Sequence, residues 1–436
     1  MNNSILVLPN DIFISNKENK YLFLNPNVPD WLVVNNNAAY ILKQCNGKNS
    51  INDILQQLSE LGNKEIESET RDLLTQAQNH SIITLEKADN LNKCRSCKTE
   101  SVPLKQSLQI VHLKLTNGCN LRCKYCYAKS GRNSNILNFE ELTQLASDVS
   151  SLSHSVEYVL SGGEPLLHPH CLDFAELVKN KGNAAHLLSN GTLINETNVA
   201  RIVECCDLIK ISLDGANEET HSFTRGANNF LKVTRAIDLL NKHNANVLIA
   251  MTVTRHNLHE IPKLVGRYGS QLTFQPFFHA GRGNAHTDLA LTGKEYYDAL
   301  YLTAGVSPMG AVDRILFHAR TRGIFKCAIG DSEISISQNG DVFPCQMLED
   351  PLFLAGNIFE TSLKDIYNKS TVLKEVCQLD VNNIKGCESC PVKLICGGAC
   401  RARTYHENGQ INISGHFCEY ERLAYINGIF DSVTIG

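Results

Sequence analysis

The sequence predicts an α/β chain built around a partial, six-stranded TIM-type (β/α)6 barrel. A small α+β module precedes the barrel and a cysteine-rich domain follows it. Three observations carry this reading. Short apolar runs that end in polar residues or glycine recur at 110–117, 157–163, 186–192, 207–215, 247–254 and 272–278. Amphipathic stretches at 139–152, 172–182 and 229–244 lie between them, with apolar residues three and four apart. The 17 cysteines bunch at short gaps, and they crowd together beyond residue 327. Strand, helix, strand at roughly 30-residue intervals means βαβ units and a parallel sheet. Six units are too few for a closed eight-fold barrel, and the working face of such a barrel is where strands run out into loops. The expected organisation is a module over 1–92, a linker over 93–108, the barrel over 109–315 and the cysteine-rich domain over 316–436.

In the first module, residues 20–34 read as a hairpin and 37–45, 50–61 and 66–83 as helices. Gly47 is expected as a helix stop and Ser50 as an N-cap. The chain has 41 Lys and Arg against 45 Asp and Glu, a net charge of -4, so it offers no electrostatic case for nucleic acid or an anionic membrane. With 43% apolar and 20% charged residues it is ordinary globular material. No apolar run approaches the roughly 20 residues of a membrane span. The opening residues lack a basic or signal-like stretch, so a cytoplasmic protein is expected. Closely spaced thiols in such a chain point to metal or catalysis rather than disulfides.

At the end of the first barrel strand stand Cys119, Cys123 and Cys126. Three thiolates in one short loop can hold three corners of a cubane cluster and leave the fourth iron open, which a structural four-cysteine site cannot do. A zinc knuckle is the alternative, but zinc pairs commonly have two-residue spacing and need a fourth ligand nearby. With Tyr125, the loop resembles the signature of the radical S-adenosylmethionine (SAM) superfamily, C-x-x-x-C-x-aromatic-C. The second strand ends in Gly162, Gly163, Glu164 and Pro165. In that family such a loop holds the methionine amino group of SAM, and Glu164 can accept from an ammonium group. The resemblance implies a 5′-deoxyadenosyl radical that takes hydrogen from an unactivated C–H bond. It further suggests SAM contacts at Ser189, Ser212 and Arg225, the last through a bidentate fork to the carboxylate. Capping roles are the alternative for all three, and Asp214 reads as structural.

The C-terminal cysteines resemble the SPASM domain, with all seven positions matched by Cys327, Cys345, Cys387, Cys390, Cys396, Cys400 and Cys418. By that resemblance Cys387, Cys390, Cys396 and Cys418 hold one auxiliary [4Fe–4S] cluster, and Cys327, Cys345 and Cys400 hold a second. With the SAM-binding cluster this makes three. A double zinc ribbon is the alternative. Members that oxidise sulfatases carry an Asp after the second of these cysteines as a base; here Gln346 stands there and cannot take up a proton. Cys45, Cys171, Cys205, Cys206 and Cys377 read as small core residues. Cys94 and Cys97 could supply a ligand, hold zinc or do neither. The histidines form no competing metal spacing.

Residues 33–55 resemble the peptide chaperone of pyrroloquinoline quinone biosynthesis, a winged-helix module also known as the RiPP recognition element. That module takes up the leader of a ribosomal precursor peptide as an added strand. A DNA-binding winged helix is the alternative, but the second and third helices hold few Lys or Arg. Together the resemblances imply a peptide maturase. Leader binding would concentrate the core peptide at the barrel mouth, and a flavodoxin or ferredoxin would donate electrons. The surplus electron of the reaction would leave through the auxiliary clusters. Carbon–carbon or ether cross-linking to an aromatic residue, of the cyclophane type, is the favoured chemistry. Thioether formation to Cys and epimerisation are the alternatives, with an iron–sulfur redox sensor as the non-enzyme reading.

Overall fold

The computed structural model describes residues 4–59, 66–85, 107–131, 135–302 and 326–433. Cys94, Cys97, most of the expected linker and the expected boundary at 315 lie outside the described residues. The first module runs β1 (Ile5–Val7), β2 (Phe13–Lys17), β3 (Lys20–Asn25), β4 (Asp30–Asn35), α1 (Asn36–Lys43), β5 (Asn46–Ser50), α2 (Ile51–Ser59), α3 (Ile66–Asn79) and β6 (Thr84–Leu85). Strands β2–β3–β4 form an antiparallel meander, and β5–β1–β6 a second small sheet. The hairpin expected over 20–34 is β3 and β4, paired from Lys20↔Asn35 to Asn25↔Asp30.

Ser50 caps α2 as expected, its Oγ accepting from Asp53 N at 3.2 Å while Asp53 Oδ2 accepts from Ser50 N at 2.7 Å. Gly47 does not stop a helix. Helix α1 ends at Lys43, and Gly47, with φ +79°, lies within β5, the strand that pairs with β1. Its left-handed backbone is one that a side chain resists.

The barrel supplies β7 (Ile110–Thr116), α4 (Phe139–Ser150), β8 (Glu157–Gly162), α5 (Cys171–Asn180), β9 (Ala184–Ser189), α6 (Val199–Cys205), β10 (Leu208–Ser212), α7 (Glu218–Arg225), α8 (Phe230–Lys242), β11 (Val247–Val253), α9 (Ile261–Tyr268), β12 (Leu272–Pro276) and α10 (Gly293–Tyr297). All six expected strands are present, parallel and adjacent in chain order. Alternation sorts their side chains. Ile209 and Ile211 of β10 pack into the main core with Phe174, Leu187 and Ile237, while Lys210 and Ser212 turn to the opposite face, the barrel interior.

The sheet does not end at β7. The C-terminal domain contributes β13 (Glu333–Ile336), parallel to β7, then antiparallel β14 (Asp341–Phe343) and β15 (Gly356–Asn357), so one sheet holds nine strands. Helices α11 (Leu363–Lys369), α12 (Thr371–Cys377), α13 (Lys393–Cys396), α14 (Arg401–Asn408) and α15 (Cys418–Asp431) complete the chain.

The first module is docked on this domain. Leu22, Leu24 and Trp31 of the meander share a core with Val392, Ile395, Tyr425, Ile426, Ile429 and Phe430, and Cys390 and Cys396 pack against it. At the rim Lys17 pairs with Asp431 at 2.7 Å, and Lys20 Nζ donates to the Val433 carbonyl at 2.7 Å. The meander is therefore covered on both faces, because Phe23, Leu32 and Val34 face its own helices.

Candidate active site

The loop after β7 carries Cys119, Cys123 and Cys126 and is pinned from several sides. Cys119 N donates to the Gly131 carbonyl at 2.7 Å, and Lys124 N to the Thr224 carbonyl at 2.8 Å. Burial, then the charges of Asp214, Cys126 and Cys119, push the Cys123 thiol up to about 11, against the lowering effect of Arg225. A thiol this basic is poorly ionised near neutrality, and a bound metal would stabilise its thiolate.

The Gly162–Pro165 loop lies directly on the cysteine loop. Gly163 N donates to the Thr116 carbonyl and Glu164 N to the Gly118 carbonyl, each at 2.8 Å. Gly162 has φ +124°, and a Cβ there would fall on the Thr116 carbonyl oxygen. A Cβ on Gly163 would lie 2.5 Å from the Gly118 carbonyl carbon. The two glycines therefore serve a close approach of two backbones, which seats Glu164 beside the cysteines. Pro165 is buried and opens a short 3₁₀ turn over Pro165–Leu167.

Glu164 has no exposed surface. Its Oε1 accepts from Ser189 Oγ at 2.8 Å and Leu166 N at 3.2 Å, and its Oε2 from Asn190 N at 2.8 Å. Complete burial pushes its carboxyl up to about 7, against the lowering effect of these three hydrogen bonds. Ser189 is thus bound to Glu164, and it also accepts from Gly191 N at 3.0 Å. Among the described residues Ser212 makes no side-chain hydrogen bond, and it stands at the C-terminal end of β10.

Arg225 is 7% exposed, and its fork engages Asp214, with Nε at 2.7 Å from Oδ2 and Nη2 at 3.3 Å from Oδ1. Asp214 also accepts from the Tyr125 hydroxyl, from Thr224 Oγ1 at 2.9 Å and from Thr252 N at 3.1 Å. Burial acts to raise this carboxyl, but Arg225 and the hydrogen bonds from Arg225 and Tyr125 outweigh it and hold the group below its usual range. The Arg225 guanidinium lies 5.4 Å from the centre of the Tyr125 ring. A buried Tyr125–Asp214–Arg225 network thus stiffens the cysteine loop from one side, and the guanidinium fork expected for a SAM carboxylate is taken up by Asp214.

Arg282 holds the loop from the other side and was not legible as a site residue. Its Nε donates to the Cys123 carbonyl at 2.9 Å, its Nη1 to the Ser130 carbonyl at 2.8 Å and its N to the Cys126 carbonyl at 3.0 Å. The one sequence signal was a glycine pair around it after the sixth strand. Gly281 has φ +58°, and a Cβ there would lie 2.5 Å from the Cys126 carbonyl oxygen.

The C-terminal cysteines gather in two groups. Cys387, Cys390, Cys396 and Cys418 line one small cavity whose walls include Gly398, Ala399, Ser414 and Gly415. Val392, Lys393 and Arg422 complete the lining, and four thiols around one space fit an iron–sulfur cluster. Burial, with Cys400 and Cys327 as neighbouring charges, raises the thiols of Cys327, to about 12, and Cys345. Among the described residues no three or more His, Cys, Asp or Glu side chains converge as ligands of a single metal ion. A cubane asks for a wider spread, since each thiolate binds a different iron. Cys171, Cys205 and Cys206 are buried in the main core and Cys45 in that of the first module; Cys377 ends α12 at the surface.

Comparison with known proteins agrees with this geometry. Residues 113–267 match the radical SAM superfamily, and residues 327–391 match the SPASM iron–sulfur cluster-binding domain. The chain is 29% identical over 344 residues to an AdoMet-dependent heme synthase of Methanosarcina barkeri, covering 72% of this chain and 96% of that one. It is 25% identical over 401 residues to the antilisterial bacteriocin subtilosin biosynthesis protein AlbA of Bacillus subtilis, covering 87% of each. Among solved structures, Streptococcus suis SuiB bound to precursor peptide SuiA aligns with a TM-score of 0.55 at 14% identity, over 94% of this chain and 98% of that one. This chain is a radical SAM enzyme, with a partial-barrel radical SAM domain followed by a SPASM domain, and its cofactors are SAM and iron–sulfur clusters.

Proposed function

We propose that this enzyme installs a cross-link in a ribosomally made precursor peptide, most simply a C–C or ether bond to an aromatic residue, with thioether formation or epimerisation as the competing outcomes. The observation that carries the reading is the docking of the first module on the SPASM domain beside Cys390 and Cys396. A leader held on that module would keep its core peptide close to the barrel mouth, replacing a bimolecular encounter by a tethered one. Among the described residues β2 and β4 of the meander each pair on one side only, which leaves an edge for an added strand. The likeness to AlbA extends over 87% of the chain, further than the likeness to the heme synthase.

When bound, the cluster and SAM would supply hydrogen-abstracting radical chemistry. The protein supplies placement. Glu164 accepts donors beside Cys119–Cys126, Ser212 presents a free hydroxyl at a strand end, and the Asp214 network and Arg282 fix the loop. Gln346, within 3.4 Å of the Tyr127 hydroxyl, puts an amide rather than a base at the cluster-side wall, against sulfatase-type oxidation. Three [4Fe–4S] clusters and a flavodoxin- or ferredoxin-type donor complete the proposal.

The test is co-expression with the short precursor encoded beside the gene, followed by mass spectrometry. Loss of two hydrogens per site, about 2 Da, supports a cross-link. An unchanged mass with unchanged stereochemistry refutes the reading and turns attention to a small-molecule substrate.

A further inference from the structure

A cavity of about 550 Å³ opens between the loop after β12, which supplies His279 and Asn284, and the C-terminal domain, which supplies His406, Glu407 and His416. Both walls lead directly to cluster loops. On one side Gly281 and Arg282 rest on Cys126, with Arg282 N donating to the Cys126 carbonyl at 3.0 Å. On the other, His406 Nε2 lies 2.6 Å from the Met347 carbonyl, two residues beyond Cys345, and α14 begins beside Cys400. The cavity therefore stands over the gap between the SAM-cluster loop and the Cys327, Cys345 and Cys400 group.

Its charge is one-sided. Among the described residues no lysine or arginine lines it, and Glu407 is its one carboxylate. The Glu407 side chain is 8% exposed, and its buried Oε2 has no hydrogen-bond partner among the described residues. Its neighbours reach only loose ion-pair distances: Arg403 Nε is 4.0 Å from Oε1, and the ring Nδ1 of His416, on a side chain that is 68% exposed, is 3.6 Å from Oε2. Arg403 is drawn instead to Glu421. A buried carboxylate oxygen without a donor is costly to keep, and a cationic donor entering the cavity removes that cost. A metal ion is a poor match, because no three ligating side chains converge there among the described residues.

We propose that Glu407 binds a lysine or arginine side chain of the core peptide and so sets which neighbouring residue reaches the barrel mouth. This rests on the maturase reading above. It adds a specificity determinant to that reading and restricts the substrate class to cores that carry a basic residue near the modified position.

The experiment uses the full chain, anaerobically reconstituted, with the precursor encoded beside the gene. KM and kcat for peptide modification are read by mass spectrometry. Wild type and Glu407→Gln are each tested on the native precursor and on variants with every core Lys or Arg replaced singly by Gln. The expected result is a rise in KM of about tenfold or more for E407Q, reproduced with wild-type enzyme by one peptide substitution. Combining the two changes then adds less than about threefold, because each removes the same contact. The peptide arm needs no enzyme variant, so a folding defect in E407Q cannot imitate it. The inference is overturned if E407Q stays within about twofold of wild type, if no core substitution raises KM, or if a core without Lys and Arg is modified. A precursor left unmodified by the wild-type enzyme refutes the maturase reading itself, and this inference with it.

Discussion

Gly163→Ala is the sharpest probe of how the Gly162–Pro165 loop is held against the cysteine loop. Its new Cβ would sit 2.5 Å from the Gly118 carbonyl carbon, where the optimum between carbon atoms is about 3.5–4.0 Å. One of the two loops must therefore retreat by about 1 Å, and both are backbone, with no flexible side chain to yield. That retreat also strains the 2.8 Å bond from Glu164 N to the Gly118 carbonyl, one residue before Cys119. Overpacking of this kind costs about 1–3 kcal/mol, too little to unfold a chain of this size. Yet displacement of a positioning group by about 1 Å can cost about 100-fold in rate. G163A is accordingly expected to fold and retain its iron while its dithionite-driven release of 5′-deoxyadenosine from SAM falls by about 100-fold. Iron analysis, circular dichroism and chromatography of the nucleoside decide the matter. Release within about threefold of wild type would refute the idea that the glycines exist for this backbone contact.

The buried pair at the loop's other flank gives a second expectation: Arg225→Ala leaves Asp214 uncompensated and should destabilise by about 3–5 kcal/mol. Asp214→Asn added to it should cost less than the sum of the singles, read from urea midpoints; a loss under about 1 kcal/mol for R225A would contradict the network. Trp31, 2% exposed between the meander and α15, should cost about 3–5 kcal/mol as Trp31→Ala. Hydrogen exchange should then rise in β2–β4 and leave β8–β11 unchanged, whereas a uniform rise would contradict a separately docked module. Burial, and then the Arg225 charge, lower His221 to about 4, so it stays neutral in the fold while an unfolded chain binds a proton near pH 6.5. Stability from this group is full above about pH 6.5 and falls by about 3 kcal/mol as pH drops toward 4. His221→Gln should flatten that slope, and an unchanged slope would assign it elsewhere.

The six barrel strands were legible because each is an apolar run with one face against helices, a burial pattern that residue order records directly. The extension of the sheet through β13 was not. Its four residues, Glu333–Ile336, take up a register with β7, Ile110↔Glu333 through Leu113↔Ile336, that only the folded chain brings together. Cys119, Cys123 and Cys126 are close because they share one short loop, whereas Cys327, Cys345 and Cys400 lie far apart in sequence and only the fold brings them together. The partners of those loops were harder. Gly162 and Gly163 stood out in the sequence, but their reason, the carbonyls of Thr116 and Gly118, is a contact between two strand ends. Arg225 read as a ligand for a carboxylate, and the carboxylate it meets is the protein's own Asp214. Arg282 and Glu407 carry no local pattern. Their roles come from backbone carbonyls and a cavity wall assembled from distant segments.

Radical chemistry on a leader-bearing peptide is tested by a measurement that couples its two products. Reconstituted enzyme, SAM and dithionite are incubated with the precursor, with the precursor lacking its leader, and with no peptide, and both 5′-deoxyadenosine and peptide mass are followed. The intact precursor is expected to stimulate 5′-deoxyadenosine release by about tenfold or more over the leaderless form, with one nucleoside formed for each pair of hydrogens lost from the peptide. Equal release in all three reactions, with the peptide unchanged, would contradict it.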